Sequence, residues 1–386
     1  ENIAGFLLLR LCAVAGSYGL VDLVFKGPLR VRVGDHEEVL HEGDSIFYDS
    51  TTPHGMIAAG DGDCEFIAIV MDPAGHACEY VEHEGLTAEV NRSITGESKD
   101  RIWNDFIDVT EDENGALQKI DFKYKENFNF AFDVVDKLAK THPDKLAMLH
   151  LDSEKKERRF TFKDIKKASA QCANYFKSLG IKKGDKVMLV LKRHYQFWFA
   201  MLGLNKLGAI AIPAVNQLQV HDFEYRFKAA GISTIICTAD GDTANQVDLA
   251  AENCPTLVNK LIVNGERDGW RSFDEEYPLY SAHYYRNEKS PGGDDLMLMF
   301  FTSGTSGYPK IAAHNYKYAL GHFHTAKYWH NVDPNGLHFT ISDTGWGKAL
   351  WGKLYGQWIC EAATFVYDFD RFKANNILSL FAKYGI

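Results

Sequence analysis

The sequence predicts an α/β protein in which an all-β region precedes a largely parallel sheet covered by helices. From residue 126 onward, short apolar runs alternate with amphipathic stretches of helical period. That alternation is typical of a parallel sheet with helices on both faces. Between about residues 26 and 71, short alternating runs are separated by tight turns instead, which is typical of antiparallel strands.

The composition excludes several classes of protein. The 386 residues are 46% hydrophobic and 24% charged, as in a globular protein, and the net charge of -10 argues against a nucleic-acid surface. The seven cysteines are odd in number, scattered and without a CxxC pair, which argues against a disulfide framework or a structural zinc site. We therefore expect a reducing, cytoplasmic location, and no metal site.

The first 72 residues are predicted to form one β domain. "PLRVRVGDHEEVL" is two alternating runs around a Gly-Asp turn, and "GDSIFYDS" and "CEFIAIVM" are further strands. The stretch 6–25 is the most apolar of the chain, but Arg10 and Asp22 interrupt it, whereas a membrane span needs about 20 apolar residues in a row. Buried strands are the preferred interpretation, and a signal peptide is the alternative.

Residues 73–125 are predicted to be a linker. Asp, Glu, Gly and Asn are frequent there and no long apolar period survives, although the segment could be ordered against a neighbour. The second large domain is then expected to cover residues 126–386.

The helices of that domain have recognisable ends. Thr161 and Asp164 have the spacing of a capping box, and Gly180 marks the stop of the same helix. Its predicted apolar face consists of Ile165, Ala168, Cys172, Phe176 and Leu179. The segment 197–207 is apolar nearly all round and is predicted to be a buried helix, and 221–230 a helix that ends at Gly231.

Five apolar runs are predicted to be the strands of the parallel sheet. They are "KVMLVLK", "GAIAIPAV", "TIICTA", "KLIVNG" and "LMLMFF". Ligands of such sheets bind at the carboxyl ends of the strands. The last of the five leads directly into the most distinctive segment of the chain.

That segment is "FFTSGTSGYPKIAAHN", residues 300–315. Its glycines allow backbone N–H groups to turn inward as an anion-binding nest, its hydroxyls add donors, and its lysine adds charge. These hydrogen-bond donors together suit a triphosphate. The regular spacing of the residues in TSG-TSG-x-P-K argues against an ordinary flexible turn. The Walker A pattern cannot be laid on it. The candidate phosphate-binding residues are Thr302, Ser303, Gly304, Thr305, Ser306, Gly307 and Lys310.

"TSGTSGYPK" resembles the signature loop of the acyl-adenylate-forming superfamily, which comprises AMP-forming acyl-CoA synthetases, luciferases and peptide-synthetase adenylation domains. In that superfamily the loop holds the β- and γ-phosphates of ATP. The resemblance implies that the seven candidate residues bind ATP with its Mg²⁺, and that Lys310 and Thr302 act in catalysis. "FNFAFDVVDKLAKTHPDKLAM", "GIKKGDKVMLVL" and "NKLGAIAIPAV" are similar to the family's upstream elements.

The segment that ends in "SDTGWGKALWGKLYGQW" resembles the short-chain and medium-chain acid–CoA ligases. This resemblance implies that Trp346, Gly347 and Lys348 lie at the acyl site. For Trp346 and Trp351, ordinary core packing is the alternative, because large aromatic side chains bury much area wherever they lie.

The implied chemistry has two steps. A carboxylate attacks the α-phosphate of ATP to give an acyl-adenylate and pyrophosphate, and the thiol of CoA then displaces AMP to leave a thioester. The expected partners are a small carboxylic acid (short-chain, medium-chain or aromatic), ATP and CoA, with neither nucleic acid nor membrane, and the oligomeric state is left open. The resemblance covers 126–386 but not the second-half motifs of the family, so we expect a truncated ligase that is weak or inactive. The alternative is a sensor fusion that binds nucleotide or metabolite without turnover.

The first domain resembles the second half of a cupin barrel. In "VRVGDHEEVLHEGDSIFYDSTTPHGMIA", the Gly43-Asp44 turn and the Pro53-His54 pair match the second cupin motif. No H-x-H precedes Gly27, so an all-β cupin-like half-barrel is expected, with His54 an ordinary turn histidine rather than a metal ligand.

Two further features call for a structural explanation. Glu361 stands where relatives usually have a small residue, and a packed carboxylate there would need a partner. The histidines between residues 314 and 338 are dense, but their spacing does not build one tight metal site, so a solvated or mixed helix face is predicted for them. They are His314, His322, His324, His330 and His338.

Overall fold

The computed structural model describes residues 7–10, 19–49, 53–59, 64–71, 101–302 and 307–386. The chain forms two compact units, of which one comprises residues 1–90 and 373–383 and the other residues 91–372 and 384–386.

The first unit is built from antiparallel and parallel strands in two sheets. The strands are β1 (Leu7–Arg10), β2 (Gly19–Lys26), β3 (Leu29–Val33), β4 (His36–Leu40), β5 (Ser45–Asp49), β6 (His54–Ala58) and β7 (Glu65–Met71). The sheet orders are β1-β7-β2-β5 and β4-β3-β6. The β3–β4 hairpin turns at Gly34 and Asp35, which confirms the predicted turn. Both sheets contribute to one small core, where Val24 and Tyr48 meet Leu29, Val31 and Leu40.

Residues 101–125, which lie in the segment predicted as a linker, are folded. A 3-10 turn (Ile102–Asp105) leads into an antiparallel hairpin of β8 (Ile107–Glu111) and β9 (Leu117–Phe122). Ile102, Phe106 and Ile107 are buried in the main core of the second unit. This part of the segment is therefore ordered against a neighbour, because most of its apolar side chains pack into or against that core. Residues 72–100 lie outside the described ranges.

After the β8–β9 hairpin, the second unit continues with a π-helical turn (Ala131–Asp136) and then with alternating strands and helices. In chain order these are α1 (Lys137–Thr141), β10 (Leu146–Leu151), β11 (Glu157–Thr161), α2 (Phe162–Ser178), β12 (Lys186–Val190), α3 (Gln196–Leu207), β13 (Ile210–Pro213), α4 (Val220–Ala230), β14 (Ile232–Thr238), α5 (Thr243–Ala251), β15 (Asn259–Val263), β16 (Arg271–Ser272), α6 (Phe273–Glu276) and a 3-10 turn (Tyr277–Leu279).

The remaining elements of the second unit begin with the strand that leads into the glycine-rich loop. They are β17 (Leu296–Thr302), β18 (Lys310–Asn315), α7 (Tyr318–His324), a π-helical turn (Thr325–Trp329), β19 (Leu337–Phe339), α8 (Gly347–Lys353), α9 (Tyr355–Ile359) and β20 (Ala363–Tyr367). The last helix is α10 (Ala374–Tyr384), nearly all of which belongs to the first unit.

Apart from the β8–β9 hairpin, the described strands of the second unit form a seven-stranded and a four-stranded sheet. The seven-stranded order is β16-β15-β14-β12-β13-β17-β18, and only β18 runs antiparallel to its neighbour. Successive residues of β12 face different cores, with Val187 and Leu189 in one and Met188 and Val190 in the other. Both faces of this sheet are therefore covered, as predicted. The four-stranded order is β11-β10-β20-β19, in which β20 runs parallel to both its neighbours.

The predicted helix ends are confirmed. The hydroxyl of Thr161 accepts from the backbone N–H of Asp164, and the Asp164 carboxylate accepts from the backbone N–H of Thr161. Gly231 ends α4 in the left-handed conformation that a side chain would disfavour, at φ +64°. Within the described residues, no helix is long and apolar enough to cross a membrane.

Candidate functional site

The glycine-rich loop connects β17 to the antiparallel β18. Thr302 ends β17 directly opposite Lys310, the first residue of β18, and the Thr302 hydroxyl donates to the Lys310 carbonyl at 3.3 Å. Gly307 has a φ of +78°, which is the left-handed backbone that an inward-turning loop requires. The structure thus brings together the two ends of the predicted phosphate loop. Ser303, Gly304, Thr305 and Ser306 lie outside the described residues, and the role of the loop stays a prediction.

An aromatic contact holds the exit of the loop. Tyr225 of α4 stacks on Tyr308 with ring centroids 4.7 Å apart, and its hydroxyl donates to the Pro309 carbonyl at 2.8 Å. Tyr225 lies 84 residues before Pro309 in the chain, and no local signal in the sequence marks it.

A cavity of about 580 Å³ opens where the seven-stranded and the four-stranded sheet of the second unit meet. Its lining residues follow strand ends on both sheets or belong to the start of α8 and the residue before it. They are Lys192, Arg193, Asn216, Gln217, Ile341, Ser342, Asp343, Trp346, Gly347, Lys348, Phe369 and Asp370. The three residues predicted for the acyl site are all among them. The position at the carboxyl ends of β12, β13, β19 and β20 is where ligands of such sheets bind.

Close backbone packing builds one wall of this cavity. A Cβ added to Gly345 would lie 2.4 Å from the carbonyl carbon of Ala214 and the nitrogen of Val215, so only glycine fits between them. The Thr344 N–H donates to the Lys192 carbonyl at 2.9 Å, which joins this wall to the turn after β12. The Trp346 side chain that follows is 62% exposed, which argues against core packing for it.

The cavity carries more positive than negative groups. Lys192 Nζ donates to Asp240 and Asp370 at 2.6 and 2.8 Å. Burial alone would lower the pKa of Lys192, but these two hydrogen bonds outweigh burial and raise it. Among the described residues Lys348 has no ion pair, and its ammonium lies 5.9 Å from the ring centre of Trp351. Lys348 is therefore the cavity cation that is available to an anionic ligand.

A buried lysine lies behind the cavity wall. Lys353 is fully buried, and its Nζ donates to the carbonyl of Ser342 at 2.6 Å. Burial, together with the positive charge of Arg193, lowers the pKa of Lys353 to about 7. Sequence reasoning missed this residue, because a lysine near a helix end is normally solvated.

The histidines, predicted to form a solvated or mixed helix face, are mixed in exposure: His324 is exposed, whereas His314, His322, His330 and His338 are only partly exposed. The Tyr318 ring contacts His314 in a tilted arrangement and His322 edge-on, at centroid distances of 4.5 and 4.4 Å. Trp351 stacks on both His322 and His330, at 6.3 and 5.4 Å. Both ring nitrogens of His322 are buried without a hydrogen-bond partner, whereas His324 is exposed. His322 lies on the covered side of this mixed face because α7 packs against α9 and Trp351 of α8 stacks on the ring.

Burial lowers the pKa of these imidazoles. The pKa of His322 falls to about 4 and that of His338 to about 3, and the pKa values of His314 and His330 are also lowered. Over the described ranges, no group of three or more His, Cys, Asp and Glu side chains is arranged to hold a metal ion. These four imidazoles, which we call the histidine row, are therefore neutral near neutral pH.

Glu361 has the partners that its burial requires. Its carboxylate accepts from the Ile102 N–H at 2.7 Å, from Arg101 at 3.1 Å and from Lys145 at 3.2 Å. Its φ of +64° explains why a small residue is usual here, since glycine adopts this backbone without strain.

The chain combines a parallel sheet, a loop rich in glycine and hydroxyl residues, and a cavity at the carboxyl ends of the strands. This combination is typical of nucleotide-binding α/β proteins. Comparison with known families assigns the class: residues 135–386 match the AMP-binding enzyme family, and the chain belongs to it. Residues 23–70 match the cupin domain family, which agrees with the predicted cupin-like region.

The curated relatives are acyl-coenzyme A synthetases. The chain is 32% identical over 283 residues to human mitochondrial acyl-coenzyme A synthetase ACSM3, covering 71% of this chain and 48% of that protein. It is 34% identical over 269 residues to mouse mitochondrial ACSM5, covering 68% and 46%. The chain thus spans about half the length of the curated relatives it matches.

Two solved structures share the fold. One is the acyl-CoA synthetase of Brucella canis, with a TM-score of 0.60, 20% identity, and coverage of 67% of this chain and 46% of that chain. The other is the anthranilate CoA ligase AuaEII in complex with anthranoyl-AMP, also with a TM-score of 0.60 and 20% identity, covering 68% and 49%.

Proposed function

We propose that the chain supplies the ATP-binding and acid-binding part of an AMP-forming acid–CoA ligase. The acid's carboxylate attacks the α-phosphate of ATP, which forms an acyl-adenylate and releases pyrophosphate, and CoA then takes the acyl group as a thioester. Short-chain, medium-chain and aromatic acids are the proposed substrates. The observation that carries the proposal is the position of Thr302 and Lys310, which face each other at the end of a strand in the sheet that borders the cavity.

In this proposal the loop steadies the leaving pyrophosphate. Such a displacement depends on positioning and on charge stabilisation more than on covalent help from the protein. Lys310 is exposed at the first residue of β18, so its ammonium can turn toward bound phosphates. Thr302 would contribute its hydroxyl from the opposite strand. Mg²⁺ is proposed to arrive bound to ATP, because the described side chains do not form a ready metal site of their own.

The cavity would hold the acid. Trp346 and Ile341 offer apolar surface, and both are more than a third exposed, at 62% and 39%. Lys348 and the paired Lys192 add positive charge, which suits a carboxylate or the phosphate of the adenylate. We propose Trp346, Gly347 and Lys348 as the acyl-site residues for these reasons. A cytoplasmic location and the use of CoA as co-substrate belong to the same proposal.

The experiment is ATP–pyrophosphate exchange with a panel of acids from acetate to octanoate and with benzoate. We expect slow exchange that depends on the acid and is lost in Lys310→Ala, while the matched exposed-lysine control Lys289→Ala keeps it. Exchange that survives Lys310→Ala would contradict the proposed role of the loop.

A second candidate rests on the cupin match at residues 23–70. Cupins often bind small molecules, so the chain could be a sensor that binds nucleotide or metabolite without turnover. Nucleotide binding without exchange for any acid would favour this second candidate over the ligase.

A further inference from the structure

Two three-residue segments pair one-to-one beside the cavity. Lys192 bonds to Asp370, Arg193 contacts Phe369, and His194 bonds to Asp368. The Arg193 guanidinium lies 4.0 Å from the ring centre of Phe369, and its Nη1 donates to the Phe369 carbonyl at 3.4 Å. We call this pairing of residues 192–194 with residues 368–370 the clasp.

The clasp joins the two sheets at the cavity. Residues 192–194 follow β12 of the seven-stranded sheet, and residues 368–370 follow β20 of the four-stranded sheet. Four residues of the clasp line the cavity, namely Lys192, Arg193, Phe369 and Asp370. His194 and Asp368 are buried behind it and are not part of the lining. The histidine–aspartate contact therefore acts on the wall without touching a ligand.

Both nitrogens of His194 are engaged. Nδ1 bonds to Asp368, and Nε2 lies 2.7 Å from the hydroxyl of Thr238. That hydroxyl already accepts from the Asp240 N–H at 3.0 Å, so its own proton is available to Nε2. Two hydrogen bonds in opposite directions across the ring therefore fix the orientation of the imidazole between Asp368 and Thr238.

The turn that carries the clasp is strained. Lys192 has a φ of +47°, a left-handed backbone that is uncommon for a side chain other than glycine. Its ammonium is bound by Asp240 and Asp370, and its carbonyl accepts from Thr344. Such a conformation persists only where the surroundings over-determine it, and His194 supplies the buried anchor next to it.

We propose that His194 and Asp368 are positioning residues that hold Lys192 and Arg193 in the wall of the ligand cavity. The inference rests on the proposed function for the identity of the ligand, an acyl-adenylate. It goes beyond that function because it assigns a role to two residues that touch neither substrate nor loop.

The first test does not depend on function. Lys192 is 8% exposed in its side chain, so acetic anhydride should label it slowly compared with the exposed Lys348. We expect His194→Ala to increase Lys192 labelling at least about fivefold, relative to Lys348 in the same sample. His194→Asn, whose amide can replace the Nδ1 donor to Asp368, should restore most of the protection.

The second test measures the ligand. Titration with a non-hydrolysable hexanoyl-sulfamoyl adenosine should show at least about tenfold weaker binding by His194→Ala and less than about threefold weaker binding by His194→Asn. If His194→Ala does not fold, Asp370→Asn replaces it, since that change removes the charge of the more exposed of the two carboxylate partners of Lys192 and leaves the buried pair in place.

The outcomes separate the two proposals. Unchanged Lys192 labelling in both His194→Ala and Asp370→Asn would overturn the clasp. Increased labelling with unchanged affinity for the analogue would overturn its positioning role. Failure of the unmodified protein to bind the analogue would contradict the proposed function, and the labelling comparison would still decide whether the clasp exists.

Discussion

The backbone N–H of Ile102 donates a 2.7 Å hydrogen bond to the Glu361 carboxylate, although 259 residues separate the two in the chain. Arg101 and Lys145 bind the same carboxylate with side chains that are themselves mostly buried. Burial would raise the pKa of Glu361, but this hydrogen bond and the two cations outweigh it and lower the pKa. Glu361 therefore anchors the folded segment 101–125 to the start of β20.

Loss of the Glu361 charge should destabilise the protein. Glu361→Gln leaves two partly buried cations without their counter-charge, and we expect a loss of about 3 kcal/mol in the free energy of unfolding. Urea denaturation measures this loss, and Glu288→Ala, on an exposed glutamate, is the control. Because the folded-state pKa is lowered, the stabilisation is present above pH 4.5 and is lost as the pH falls further. A change below about 0.5 kcal/mol in Glu361→Gln would contradict this account.

The histidine row should make stability depend on mildly acid pH. The folded protein holds the pKa values of His322 and His338 below the ordinary 6.5. At a pH between the folded-state pKa of each ring and 6.5, the unfolded chain therefore binds more protons than the folded protein. Stability should fall as the pH drops from 6.5 toward 4, by on the order of 1 kcal/mol for each such ring between pH 7 and pH 5.

Urea midpoints at pH 7 and pH 5 measure the dependence of stability on pH. His322→Phe keeps a ring between Tyr318 and Trp351 but removes the proton-binding site, so it should reduce the difference between the midpoints at the two pH values. The control is His324→Phe on the exposed side of the same helix. An equal difference in His322→Phe and in the unmodified protein would show that the row does not titrate as proposed.

Gly345 should not tolerate a side chain. An added Cβ would lie 2.4 Å from backbone atoms of Ala214 and Val215, which cannot move as a side chain could. We expect Gly345→Ala to cost about 3 kcal/mol, in the upper part of the range for overpacking, and to disturb the cavity wall that carries Trp346. Gly321→Ala is the matched control: nothing lies within 4 Å of its added Cβ in α7, so it should stabilise by up to about 1 kcal/mol. Similar effects of the two changes on thermal unfolding would refute this explanation.

Tyr225 should protect the exit of the phosphate loop. Tyr225→Phe removes the hydrogen bond to the Pro309 carbonyl and keeps the ring that stacks on Tyr308. We expect a loss of about 1 kcal/mol locally and a severalfold faster tryptic cleavage after Lys310. Tyr285→Phe, on a tyrosine that is 79% exposed, serves as the control. Unchanged cleavage in Tyr225→Phe would mean that this contact does not hold the loop.

Local patterns predicted the elements better than they predicted the site. The capping box at Thr161 and Asp164 and the glycine after α4 depend on neighbours in sequence, and the structure confirms both. Ile102 and Glu361 are 259 positions apart in the chain, and His194 and Asp368 of the clasp are 174 positions apart. No periodicity in a single sequence signals such pairs. The hairpin at residues 107–122 was missed because its strands are short and mostly polar.

The acyl-site prediction came from resemblance and not from pattern. Trp346 and Lys348 do lie at the cavity. Nothing in their spacing shows that Gly345 lets the backbone reach Ala214, or that the turn after β12 contributes to the cavity lining. Lys353 was missed for the same reason, since its burial depends on elements that are distant in the chain.

The most direct test of the central claim is calorimetric titration of MgATP into the unmodified protein, Lys310→Ala and the control Lys289→Ala. The claim is that the loop between Thr302 and Lys310 binds the phosphates of ATP. We expect saturable one-to-one binding by the unmodified protein and the control, and at least about tenfold weaker binding by Lys310→Ala, as befits the loss of a charged phosphate contact. Equal affinity in all three proteins, or no binding by the unmodified protein, would contradict it.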